Sequence, residues 1–280
     1  MWQLRSSIGG SPAFRITADY DPLGNRVRLI DQVGPSQVSI TPDTLDRDRI
    51  CRIDYGGTPT GCNVTHDGSG NVVKQLARDG NTRALTYFPS GAVRTITTTP
   101  SKRSAVFRYD ASGEISRLDV KGPTDSRNDH RYGLIQRRNA IVNGVSQSIL
   151  VRQIPGVGAS RRGANGPFVF PFSEQRGTRF TATNDSNAFV QDVSYRPFGE
   201  ATSTPSTPSS LLYTTEQWNG GDLLADLGVV NLGARIYDPI IGRFLSRDPL
   251  IIPRTASSTN PYAFALNDPS FCSMHRLDCQ

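Results

Sequence analysis

Few residues in this chain are suited to chemistry, and their spacing limits what that chemistry can be. There are four cysteines (Cys51, Cys62, Cys272 and Cys279) and three histidines (His66, His130 and His275) in 280 residues. No two cysteines stand as C-x-x-C and the histidines are far apart in sequence, so no zinc site is expected. Cys51 and Cys62 flank a glycine-rich segment; they either bridge across a hairpin or remain two thiols. Asp129-His130 reads as a surface pair rather than part of a triad, because no G-x-S-x-G elbow accompanies it. Gly156-Val157-Gly158 runs into Ala159-Ser160-Arg161, so a dinucleotide-binding fingerprint fails at its third glycine. That stretch reads as a loop running to Gly166. No metal, cofactor or cofactor-binding residue is expected. Asn63-Val64-Thr65 and Asn184-Asp185-Ser186 fit the glycan-acceptor pattern, which matters only in a secreted eukaryotic protein.

Composition narrows the classes further. Hydrophobic residues make up 36%, with a mean hydropathy of −0.39. That is apolar enough for a core and too polar for a membrane protein. No apolar run approaches the roughly 20 residues of a spanning helix. The stretch Met1-Trp2-Gln3-Leu4-Arg5-Ser6 lacks a signal peptide's apolar segment, so the chain is expected either to stay inside the cell or to be a fragment of something longer. The net charge is +6, almost all from arginine, with lysine only at Lys74, Lys102 and Lys121. The arginines are interleaved with Asp and Glu along the chain. They read as a solvated surface, and no nucleic-acid partner is expected.

The elements that would carry any site are β-hairpins. Glycine (26) and proline (19) are abundant, as in a chain full of turns. One turn recurs: Tyr20-Asp21-Pro22-Leu23-Gly24, His66-Asp67-Gly68-Ser69-Gly70, Tyr87-Phe88-Pro89-Ser90-Gly91 and Tyr109-Asp110-Ala111-Ser112-Gly113. The last three glycines are 21 and 22 residues apart, and the 46-residue gap after Gly24 holds a degraded copy near Leu45-Asp46-Arg47-Asp48-Arg49. Asp at the first turn position accepts a local backbone N–H, Pro presets φ, and Gly takes the left-handed last position. The flanks alternate as strands: Phe14, Ile16, Ala18 and Tyr20 before the first turn, Val27 and Leu29 after it, and Ala105, Phe107 and Tyr109 before the fourth. These positions predict core packing rather than a carbohydrate-stacking surface of Tyr20, Tyr87, Phe107 and Tyr109. A unit this short cannot bury its own apolar face, so the hairpins must stack side by side.

Tyr-Asp, two residues and Gly at this period resembles the YD repeat of the Rhs family, which includes polymorphic toxins and Tc toxin C subunits. Two of the four clear copies keep the Tyr-Asp pair. Further on, Glu174 to Arg179 and Tyr195-Arg196-Pro197-Phe198-Gly199-Glu200 resemble the segments before the family's core. A Ser/Thr/Pro insert (201–210) and Tyr213-Thr214-Thr215-Glu216-Gln217 follow. The densest match is Gly233-Ala234-Arg235-Ile236-Tyr237-Asp238-Pro239, Gly242-Arg243-Phe244-Leu245-Ser246 and Asp248-Pro249, which is similar to the Rhs repeat-associated core. Asn260, Tyr262, Phe264 and Asn267-Asp268-Pro269 continue it.

The resemblance implies an all-β fold of stacked antiparallel hairpins forming a curved, partial β-shell, with a short helical or irregular C-terminal core segment. Residues 1–160 would be the YD-repeat region, 161–270 the repeat-associated core and 271–280 a diverged tail. It implies a structural scaffold, in a family of secreted or cell-surface proteins whose shell encapsulates and delivers a C-terminal toxin; no toxin is expected within this chain. Implied partners are the rest of such a shell or a toxin domain, and unpaired strand edges predict self-association. The family core is also an aspartyl autoprotease, in which two close carboxylates share one proton. Arg235 matches its arginine and Asp248 its first aspartate. Met274 stands where the second belongs, and the D-P-x-G ending is absent. At most a degenerate self-cleaving activity is implied; in the preferred reading Asp248-Pro249 starts a turn and Arg235 pairs with Asp238 or Asp248 at a partly buried position. A YD-repeat surface that binds cell-surface carbohydrate or protein is the remaining alternative.

Overall fold

A computed structural model describes residues 2–8, 11–31, 36–57, 59–142, 144–154, 159–163, 166–173, 179–184, 186, 189–202, 217–249 and 260–267. The chain folds as consecutive antiparallel strands in three sheets. The first holds β1 (Trp2–Ile8), β2 (Ser11–Tyr20), β3 (Arg26–Asp31), β4 (Ser36–Pro42) and β5 (Ile50–Asp54), in chain order. The second has 13 strands, again in chain order. It begins with β6 (Val64–His66), β7 (Val72–Leu76), β8 (Thr82–Tyr87), β9 (Val93–Thr99), β10 (Ser104–Tyr109) and β11 (Ile115–Lys121). It continues with β12 (Ser126–Tyr132), β13 (Ile135–Val142), β14 (Val145–Ile154), β15 (Ala159–Arg162), β16 (Phe168–Ser173), β17 (Arg179–Asn184) and β18 (Phe189–Ser194). A small third sheet is formed by β19 (Asp222–Leu224), β20 (Val229–Leu232), β21 (Arg235–Asp238) and β22 (Arg243–Phe244). The all-β expectation holds. The ladder crosses residues 160 and 161 without a break, since β14 pairs with β15 and β15 with β16. The core segment combines the small sheet with single 3₁₀ turns such as Ala225–Leu227.

The repeated turns share one geometry. In the first, the Asp21 N–H donates to the Asn25 carbonyl (2.9 Å) and the Gly24 N–H to the Asp21 carbonyl (3.0 Å). The Asp21 carboxylate accepts from the Leu23 and Asn25 N–H groups at 3.0 and 2.8 Å. Asp67 and Asp110 repeat this pattern, and Gly24, Gly70, Gly91 and Gly113 all have positive φ. This is a type I turn closed by a glycine bulge, matched by a register shift beside each turn. The degraded copy is a longer turn in which Asp43 N–H bonds to the Arg49 carbonyl at 2.9 Å. The 21-residue period counts every second turn, because the intervening connections lie at the opposite rim. One of these, Ala77 to Asn81, has the same geometry and carries an Asp79-Gly80 pair that the sequence reading passed over.

The tyrosine of the repeat has its own task. The Tyr87 hydroxyl donates to the Val72 carbonyl (2.8 Å) and the Tyr109 hydroxyl to the Val93 carbonyl (2.9 Å). Each repeat is thereby pinned to the one before it, and burial pushes the Tyr109 phenol up to about 12. Inward positions pack one core: Ile16, Ala18, Leu29, Ile53, Leu85, Ile96, Ala105, Phe107 and Leu118 are buried and belong to one cluster. Phe14 has no described side chain.

No strand ladder joins β5 to β6. Their seam is closed by the Cys51–Cys62 disulfide and by Asn63. The Asn63 amide accepts from the Ile53 N–H (2.8 Å) and donates to the Ile53 carbonyl (2.7 Å), imitating a paired backbone. The bridging alternative for these cysteines is the one observed. Cys272, Cys279, His275 and the 156–158 loop lie outside the described residues.

Candidate functional site

The third sheet is a plug held between two stretches of wall. One of its faces, with Leu224, Val229, Ile236, Ile241 and Leu245, joins the repeat core. The other, with Leu223, Val230, Leu232, Tyr237 and Phe244, packs with Val169, Ala182 and Val193 of β16–β18. Strand β20 is buried on both faces, which explains its nearly continuous apolar run. Trp218, Tyr237, Phe244 and Phe264 form an aromatic cluster with centroids 5.1 to 6.1 Å apart.

The motif residues are seated on the wall through polar contacts. Asp238, fully buried, accepts from Arg83 Nη1 (2.5 Å) and Gln75 Nε2 (2.6 Å) on the wall and from its own Ile240 N–H (2.9 Å). Arg26 is buried with its guanidinium 4.0 Å from the Phe198 ring and donates to the Ile240 carbonyl at 3.3 Å. Burial pushes its pKa below the ordinary arginine value. Gly242 belongs here because its φ is +65° and a Cβ would lie 2.7 Å from the Arg26 guanidinium. Arg196 binds Asp31 at 2.5 Å. Arg243 donates to the Asp48 carbonyl (2.7 Å) and to Asn260 Oδ1 (3.0 Å), and burial lowers it to about 10.

The second half of the core motif grips the row of repeat turns. The Tyr262 hydroxyl donates to the Gly70 carbonyl at 2.6 Å. Asn267 donates to the Gly24 carbonyl (2.8 Å) and accepts from the Tyr20 hydroxyl through its own carbonyl (3.0 Å). Asn260 pairs with Asn25. The Leu245 carbonyl accepts from both the Val72 N–H (2.8 Å) and the Tyr87 hydroxyl (3.2 Å). His66, which occupies a repeat tyrosine's place, lies 6.3 Å from the Tyr262 ring. Burial, reinforced by Arg49, lowers its pKa to about 4.

The structure brings together the two residues matched to a self-cleaving centre. Arg235 Nη2 lies 2.9 Å from Asp248 Oδ2, with side chains 19% and 34% exposed. Arg235 Nη1 donates to the Pro261 carbonyl (3.2 Å), and the guanidinium sits 3.6 Å from the centre of the Phe244 ring. Burial lowers the Arg235 pKa, against the opposing pull of Asp248. The Asp248 N–H also bonds to the Pro261 carbonyl (2.9 Å), the same carbonyl that Arg235 holds. Met274 and the segment where a second acid would stand lie outside the described residues. Asp129 and His130 point to opposite faces: Asp129 binds Arg138 (2.8 Å) and Arg127 (3.2 Å), while His130 stacks on Tyr132. Among the described residues no cluster of His, Cys, Asp and Glu is arranged for a metal. No helix there is long and apolar enough to cross a membrane.

Fold and seat together define an open hairpin wall closed on a small β-plug. Known proteins share this architecture. The TcdB2-TccC3 complex with Cdc42 superposes with a TM-score of 0.62 at 15% identity, over 93% of this chain and 15% of that one. TcdB2-TccC3 without its hypervariable C-terminal region gives 0.56 at 12% identity, over 99% and 17%. The Photorhabdus luminescens Tc holotoxin pore gives 0.55 at 15% identity, over 92% and 16%. In sequence, the chain is 22% identical over 284 residues to salivary gland surface protein 1 of Aedes aegypti, covering 95% of this chain. The chain spans only 8% of that relative's length. No protein-family model matches it.

Proposed function

We propose that this chain is a wall-and-plug segment of an Rhs/YD-repeat shell, acting as a scaffold within a larger secreted assembly. The observation that carries this reading is the seating of the plug. Motif residues Asp238, Arg243, Asn260, Tyr262 and Asn267 each contact the repeat strands or their turns. These contacts support a structural task for the motif, holding wall strands in place. Electron microscopy of the gene product that contains this chain tests the reading. Residues 11–194 should appear as consecutive rungs of a longer β-wall, with 217–267 seated inside it. A free-standing module, making no strand contact with the rest of that product, would overturn the proposal.

A second reading, self-cleavage, rests on the Arg235–Asp248 pair. Its test is intact mass. A shortened chain restored to 30.6 kDa by Asp248→Asn would support it, and an intact wild-type chain would sink it.

A further inference from the structure

The two large sheets meet at a weak join that the plug also spans. Across the β5–β6 seam runs one backbone bond, from the Asn63 N–H to the Cys51 carbonyl (2.9 Å). The Asn63 amide, the Cys51–Cys62 disulfide and the Tyr55 hydroxyl, which donates to the Leu76 carbonyl at 3.2 Å, add to it. Behind the seam lies a cavity lined by Asp48 and Ile50 on one side, His66 and Gln75 on the other, and Arg243 and Tyr262 of the plug. Among the described residues, Gln75 Oε1 and Arg243 Nε are buried without a hydrogen-bond partner, so this join lacks the filled packing of the repeat core. A polar clasp bridges the same gap on the rim of the repeat turns. Asn25, which holds the Arg47 carbonyl of the turn before β5 (3.3 Å), pairs with Asn260. Asn260 Oδ1 accepts from Arg243 Nη2 (3.0 Å) and from the Tyr262 N–H (2.9 Å). The Tyr262 hydroxyl then reaches the Gly70 carbonyl beyond β6. The plug is therefore seated half on each sheet. Among the described residues, the disulfide is the one covalent tie between those halves besides the chain itself.

We propose that Cys51–Cys62 is a redox latch: its reduction by a dithiol opens the β5–β6 seam and loosens the plug that spans it. Cys62 is exposed and Cys51 half-buried, so a thiolate of the dithiol attacks Cys62 Sγ. The Sγ–Sγ bond breaks, and Cys51 leaves as a thiolate that takes up a proton. The second thiolate of the dithiol attacks the mixed disulfide and frees Cys62, which is protonated in turn. Two electrons and two protons pass to the cysteine pair, and the dithiol becomes a cyclic disulfide. The 55–62 connection then gives way easily, because Gly56 and Gly61 face open space. Disulfides persist in oxidising compartments and are lost in reducing ones, so the latch responds to a change of compartment. Disulfide and clasp hold the same two sheets, so each stabilises the other, and the coupling is reciprocal. All these contacts lie within the chain, so the latch works whether or not the wall continues into a longer shell.

Native-state hydrogen exchange of the full chain, oxidised and after treatment with dithiothreitol, tests the latch. On reduction, amides of 50–54 and 63–66 should exchange roughly tenfold faster or more, and so should those of 243–247 and 260–262 in the plug. Strands β9–β11 should stay unchanged. An increase confined to 50–66, or a uniform one along the chain, would overturn the proposal. Cys272→Ser/Cys279→Ser should respond to dithiothreitol like the wild type, and Cys51→Ser/Cys62→Ser should not respond at all; the reverse assignment would sink the latch. Tyr262→Phe cuts the clasp without touching a cysteine. It should shift the equilibrium between the cysteine pair and dithiothreitol toward the thiols by roughly threefold or more. An equilibrium identical to that of the wild type would refute the coupling.

Discussion

The two stretches of wall, β2–β11 and β12–β18, use one strand architecture, but β12 and β13 reverse its polarity. In the first, the inward positions are mainly apolar, the turns follow one pattern, and β8 and β9 carry threonines on the outward side. In the second, β12 and β13 turn Arg127, Asp129 and Arg138 inward, Arg131 reaches Asp222 of the plug, and aromatic and apolar residues face out. The contrast teaches that hydrogen-bonded rungs do not require one pattern of apolar alternation. Register can be set by hydrophobic burial and turns, or by buried ion pairs that tolerate only one alignment.

The largest expected effect comes from removing the acid that pairs with the buried arginines of each stretch. Asp238→Ala strands buried Arg83, and Asp129→Ala strands buried Arg127 and Arg138; each should cost about 3–5 kcal/mol in denaturant unfolding. Amide exchange sharpens the comparison: Asp238→Ala should deprotect β7 and β8, and Asp129→Ala should deprotect β12 and β13. Identical exchange patterns would mean that the two stretches open as one unit. Next is the seam. Replacing Cys51 and Cys62 by serine frees a closure of 11 residues in sequence separation and should lower stability by roughly 2–3 kcal/mol, with the exchange increase centred on β5 and β6. Tyr109→Phe removes one hydroxyl bond between repeats and should cost about 0.5–1.5 kcal/mol. The same substitution at Tyr132, outside the core, should cost nothing measurable.

The last effect, absent at neutral pH, is a pH dependence confined to the first stretch. His66 is held neutral in the folded chain, with its pKa lowered from 6.5 to about 4. Asp43, Asp46, Arg49 and Arg243 surround it. As pH falls below 6.5 the unfolded chain takes up the proton first, so stability is full above that value and declines toward about pH 4. The difference in melting temperature between wild type and His66→Phe should change across this window and stay constant above it.

The repeat half was legible because its signals are local. Asp21, Asp67 and Asp110 cap their own turns, and Ile16, Ala18, Ala105 and Phe107 alternate into the core as their spacing indicates. The core motif located the plug, including Arg235 beside Asp248, but did not reveal what its residues hold. Arg26, Gln75 and Arg83 occupy inward strand positions, where a sequence alone gives no reason to expect a charge. Their partner Asp238 is 155 residues or more from Gln75 and Arg83 in sequence. The second stretch was hardest to read, because inward Arg127, Asp129 and Arg138 remove the period-2 apolar pattern.

Asn63 carries a practical consequence beyond the seam it closes. It heads an Asn-Val-Thr sequon, and its side-chain nitrogen is the atom to which a glycan would be attached. In a eukaryotic secretory host, transfer before β5 meets β6 would replace one hydrogen on the nitrogen that donates to the Ile53 carbonyl and wedge a sugar into the join. The choice of expression host is therefore a structural variable for this protein, and occupancy at Asn63 would count the molecules whose two sheets never closed.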